Sequence, residues 1–108
     1  MKVLMIQRHR EPELKEIGDD LRDMQDAVEG YIEALYPFDD PVAIVCNEEG
    51  KIIGLPVSRF LFYQDTEYVD ALCGNAFISG LNEEDFTDIP ADLVDKYTAM
   101  FMPDIVKI

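Results

Sequence analysis

The chain has 108 residues, 23 of them acidic against nine Lys and Arg, for a formal net charge of −14 and a pI near 4.1. Its length suits one domain, and 48% hydrophobic residues with five Tyr and six Phe supply enough apolar surface to argue against disorder. The charge excludes direct nucleic-acid binding, because phosphate contacts need Lys and Arg, and it disfavours anionic membrane surfaces, so a macromolecular partner is expected to be basic.

In chain order, Lys2-Val3-Leu4-Met5-Ile6-Gln7 is a short β-like run, and His9-Arg10-Glu11-Pro12 breaks it before the alternating Leu14-Lys15-Glu16-Ile17. That pattern predicts an N-terminal hairpin. Asp19 or Asp20 then caps a helix whose apolar positions Ile17, Leu21, Met24 and Val28 recur every three or four residues, with Gly30 as its stop. Tyr31 to Tyr36 is rich in β-formers and ends at Pro37 and the polar Asp39-Asp40-Pro41 loop.

Val42-Ala43-Ile44-Val45-Cys46 and Lys51-Ile52-Ile53-Gly54-Leu55 flank Asn47-Glu48-Glu49-Gly50, which predicts a second hairpin. In that reading Asn47 accepts a backbone N–H two residues on, the two glutamates take the right-handed turn positions, and Gly50 supplies the left-handed residue of a bulge. Ser58 is then read as the cap of a short helix through Arg59, Phe60, Leu61 and Phe62 after Pro56. A polar loop at Gln64 to Glu67, a last strand at Ala76 to Ser79 and a closing helix behind Pro90 complete the order ββαβββ, short helix, βα. The expected fold is a single α+β domain over residues 1–108, a largely antiparallel sheet of five to six strands with helices packed on one face.

Three segments of this frame, Met24-Gln25-Asp26-Ala27-Val28-Glu29-Gly30-Tyr31-Ile32-Glu33, Val45 through Pro56 with Ser58-Arg59, and Gly74-Asn75-Ala76-Phe77-Ile78-Ser79-Gly80, resemble the domain of unknown function 3846. The resemblance runs from about Lys2 to Glu84. It implies a setting among bacteria, phages and mobile elements, and it brings no activity with it. Two positions depart from the family's habit. Glu29 stands where a second glycine is usual, and Val57-Ser58-Arg59 stands for a Pro-Asn-Arg, a swap between two capping residues at position 58.

Sites of chemistry are sparse. His9 is the single histidine, so no zinc cluster is expected, and the acids Glu83, Glu84, Asp85 and Asp88 near Asn82 lack the calcium-loop spacing. Ser58, Ser79, Cys46 and Cys73 have no local histidine base, there is no Gly-rich phosphate loop, and no cofactor is expected. The cysteines lack CxxC spacing and read as small buried hydrophobes in a reducing compartment. No apolar run reaches about 18 residues, and MKVLMIQRHR meets charge too soon for a signal peptide, so a cytoplasmic location is expected.

The first functional expectation is a non-catalytic accessory protein of a phage or mobile element that binds a basic, nucleic-acid-binding host protein, as a DNA mimic would. Its interaction face is drawn from Asp19, Asp20, Asp23, Asp26, Asp39 and Asp40. The alternative is a small-molecule or nucleotide-binding module, with Asn47, Glu49, Lys51, Gly54 and Arg59 converging near the 42–55 hairpin.

Overall fold

The computed structural model describes residues 1–108. Its elements are β1 (Lys2–Ile6), β2 (Glu13–Glu16), α1 (Leu21–Val28), β3 (Ile32–Leu35), β4 (Val42–Asn47), β5 (Val57–Tyr63), β6 (Tyr68–Cys73), β7 (Ala76–Leu81), β8 (Phe86–Thr87), a 3-10 turn (Ala91–Leu93), α2 (Val94–Met100) and β9 (Ile105–Lys107). The fold is α+β. One sheet runs in the order β2-β1-β7-β4-β3, with β8 paired to β7, and all its pairings are antiparallel. A second sheet, β6-β5-β9, has β5 at its centre, antiparallel to β6 and parallel to β9.

Strand alternation divides the core. From β1, β4 and β7, Val3, Met5, Val45 and Phe77 point to one face, where Met24 and Val28 of α1 cover them. Leu4, Ile6, Val42, Ile44 and Ile78 point to the other, against Leu61 and Leu72 of the second sheet and Tyr97 and Phe101 at α2. Because both faces are covered, these central strands read as nearly continuous apolar runs. The helices therefore lie on opposite sides of the main sheet, not on one face as the sequence pattern predicts.

The N-terminal hairpin, α1, β3 and β7 fall where the sequence places them. The second hairpin does not form. Residues 51–54 belong to a coiled turn closed by Ile53 N to Glu49 O at 3.0 Å and Leu55 N to Gly50 O at 2.9 Å, which leaves Ile52 84% exposed. Gly50 is not left-handed; the residue with positive φ is Gly54, at 74°. What requires glycine at position 50 is proximity, since a Cβ there would sit 2.4 Å from the carbonyl oxygen of Cys73. The loop thus packs closely against the end of β6 as the chain passes from one sheet to the other.

The short helix predicted at 58–62 is also absent, because Ser58 to Phe62 lies within β5. Ser58 caps nothing. Its hydroxyl donates to Leu72 O across to β6 at 3.1 Å, beside a register shift between Val57 and Arg59. At the end of α1 the left-handed residue is Glu29 (φ 62°), ahead of the glycine expected to stop the helix, with Gly30 N bonded to Gln25 O at 3.0 Å. At its start Asp20 holds the cap position without a side-chain capping bond. No helix is long and apolar enough to cross a membrane.

Candidate functional site

Asn47 ends β4, buried among backbone groups. Its Nδ2 donates to Val28 O at 3.1 Å and Glu29 O at 3.3 Å, while Oδ1 accepts from Glu49 N at 2.8 Å. It thus satisfies two open carbonyls at the end of α1 and fixes the turn after β4, so every polar atom is engaged within the fold. Glu49 contributes its backbone to that turn and keeps an exposed side chain. Lys51 is paired with Asp70 of β6, whose hydrogen bond raises the lysine pKa. Both line a recess of about 120 Å³ with Glu33, Cys46, Asn47 and Cys73. Burial pushes the Cys46 thiol up to about 11, chiefly by desolvation, so it stays protonated and unreactive at neutral pH.

Arg59 lies elsewhere and has a different task. Its side chain is 1% exposed and is held by carbonyls alone: Nε donates to Phe101 O at 2.7 Å, Nη1 to Ser58 O at 2.7 Å and Gln7 O at 3.1 Å, and Nη2 to Arg10 O at 2.7 Å. No carboxylate forms an ion pair with it, and burial lowers its pKa from the usual value against a weaker opposing pull from Asp104. The guanidinium fork joins β5 to the loop after β1 and to the end of α2, a geometry that a lysine ammonium does not reproduce. The register shift between Val57 and Arg59 interrupts the alternation of β5, so that Ser58 and Arg59 are buried in succession, and the fork reaches the 7–10 loop.

Asn47, Lys51 and Arg59 therefore do not converge on one cavity, and Gly54 faces open space. The largest cleft, about 460 Å³, is lined by Arg8, His9, Leu55, Pro56, Val57, Ser58, Arg59, Phe60 and Asp104. Arg8, His9 and Asp104 were not among the expected site residues. The sequence does carry a signal for the first two, since Arg8-His9-Arg10 is the densest basic run in an acid-rich chain.

The acids divide as well. Asp19, Asp20, Asp23 and Asp26 are grouped at α1, with Asp23 folded against Gly18. Asp39 and Asp40 belong to the opposite layer, where Asp40 Oδ2 accepts from Lys96 Nζ at 2.6 Å and Tyr97 OH at 2.7 Å. The lysine bond first, then the tyrosine, holds the Asp40 carboxyl below its ordinary 3.8. The six aspartates do not share one surface. No group of three or more His, Cys, Asp or Glu side chains is placed to hold a metal ion.

No curated protein and no solved structure matches the chain. A family model does match, over residues 1–102, and by that match the chain belongs to the family described as a domain of unknown function (DUF3846).

Proposed function

We propose that this protein is a cytoplasmic, non-catalytic accessory factor that works by docking its acidic α1 side onto a basic protein surface, such as the nucleic-acid-binding face of a host enzyme. One observation carries the reading. Asp19, Asp20, Asp26 and Glu29 are exposed and make no ion pair, and Arg22 is the only cation within α1. Of 23 acids in the chain, only Glu13, Glu16, Asp40 and Asp70 are ion-paired. Uncompensated carboxylates repel one another in the free protein, and a basic partner relieves that repulsion. A role in phages or mobile elements fits this chemistry, because such a factor meets host proteins whose surfaces are shaped for phosphate.

The test is affinity capture from host lysate at low salt, with duplex DNA added as competitor. The expected result is a nucleic-acid-binding protein that DNA displaces and that D19N/D20N/D26N no longer captures. Binding should also fall steeply above physiological ionic strength, where screening acts over about 8 Å. A partner that resists both DNA and the triple substitution would overturn the reading.

A further inference from the structure

We infer that the cleft between the 7–10 loop and the start of β5 binds a phosphate monoester carried on a compact ring, for which a nucleoside monophosphate is the model compound. This is a separate capacity from protein docking, on a different part of the surface. Three features converge there.

The first is charge. Arg8, Arg10 and Arg59 are three of only nine Lys and Arg residues, none is ion-paired, and two of them line the cleft with the sole histidine. Arg59 is the unusual member. Four of its five N–H groups go to carbonyls, one Nη2–H has no protein acceptor, and its buried positive charge lacks a counter-charge at ion-pair distance, Asp104 being the acid that acts on it from farther off. A dianion in the cleft would supply that counter-charge.

The second is preorganisation. Arg59 pins both ends of the loop, through Gln7 O and Arg10 O, and Arg10 N closes it onto Gln7 O at 3.3 Å. His9 is held with φ at 60°, a conformation a non-glycine residue adopts at some cost. Arg8 and His9 are thereby presented to solvent on a fixed backbone, with Arg8 making no hydrogen bond inside the protein. A fixed loop spends less binding energy on ordering.

The third is shape and lining. About 460 Å³ lies within the size range of small-molecule sites. The cleft is also lined by Leu55, Pro56, Val57 and Phe60, the last 40% exposed, which suit the face of a ring. Asp104 also lines the cleft as its one acid against Arg8 and Arg59, so the lining carries only a small positive excess, which one phosphate matches better than a long polyanion does. An acid-rich chain with one small basic, partly apolar cleft matches a compact anion better than a nucleic-acid strand.

Calorimetry on the full chain at low salt, with AMP, inorganic phosphate and adenosine as separate probes, tests the inference. AMP should bind more tightly than either fragment, and R8Q should weaken it by about tenfold or more, the loss of one charge-assisted contact, without moving the thermal midpoint. H9G, which removes the imidazole while accepting the same backbone conformation, should weaken AMP too, and K51Q should leave it unchanged. Absence of AMP binding at about 1 mM, binding no tighter than that of phosphate or adenosine, or an affinity indifferent to R8Q would overturn the inference.

Discussion

Arg59→Met removes the fork and keeps a long, flexible side chain in its place, so it separates the hydrogen bonds of Arg59 from its bulk. Four carbonyls lose their donor. Those of Phe101 and Ser58 accept in buried bonds, whereas Gln7 and Arg10 lie where water can replace the lost partner. A buried acceptor left unpaired costs about 1–3 kcal/mol, which puts the two at about 2–6 kcal/mol. Methionine also abolishes the burial penalty of a charge with no ion-pair partner, so the net loss falls toward the lower end, about 2–3 kcal/mol. That is a large share of the roughly 5–15 kcal/mol that holds a domain together. Urea unfolding followed by far-UV circular dichroism reads it directly: with a slope of about 1–3 kcal/mol per molar, the midpoint should fall by about 0.7–3 M. Arg59→Lys keeps the buried charge and loses the fork, so it should be at least as destabilising as Met. A Met variant within about 0.5 kcal/mol of wild type would refute the reasoning and show the carbonyls to be watered rather than clamped.

Three further outcomes follow from the same structure. Asn47→Ala strips the end of α1 of two bonds and the following turn of a third, and should cost about 1–3 kcal/mol in the same unfolding assay. Glu29→Gly should stabilise by about 0.5–1 kcal/mol, since glycine occupies the left-handed cap without steric penalty; a lower unfolding midpoint would contradict this. Alkylation by iodoacetamide at pH 8 should modify Cys73 well before Cys46, because Cys46 is more buried and its thiol titrates near 11. The sign for stability follows: the folded-state pKa lies above the ordinary 9.0, so this thiol's contribution is complete below pH 9 and is lost as pH rises toward 11.

The parts of the fold that sequence reading reached are those governed by local pattern. The N-terminal hairpin alternates, α1 repeats every three to four residues, and Ala76 to Leu81 is apolar and bounded by glycine, so each element announces itself. What it missed depends on distant partners. Lys51-Ile52-Ile53 is β-forming by composition, yet no strand lies alongside, and turn hydrogen bonds take those backbone groups instead. Arg59 to Phe62 extends because β6 and β9 flank it; Asp70 interrupts the apolar pattern of Tyr68–Cys73, and Ile105–Lys107 has only three residues to be read from. The site reading failed for a related reason. Asn47 and Arg59 are polar groups whose partners are main-chain carbonyls, and a carbonyl belongs to every residue, so composition gives no hint that the side chains are already occupied. The Glu29 departure, by contrast, was visible as a missing glycine and acquired its meaning only from the φ of 62°.

The order β2-β1-β7-β4-β3 has a kinetic corollary. Leu4 pairs with Ile78 and Ile44 pairs with the same residue from the other side, so the middle strand of the main sheet is among the later ones to be synthesised. Until Ala76 to Leu81 leaves the ribosome, the β1–β2 hairpin and the β3–β4 pair have no common neighbour and cannot share a core. Closing that pairing spans more than two thirds of the chain, and loop entropy must be overcome before the contacts repay it. Folding is thus expected over milliseconds to seconds rather than microseconds. During that interval the apolar strands Lys2–Ile6 and Val42–Asn47 stand open at their edges. Through that interval the chain's excess of acids, concentrated beyond the basic Arg8-His9-Arg10 run, keeps nascent copies apart, a service to the unfinished chain that is independent of any partner of the finished one.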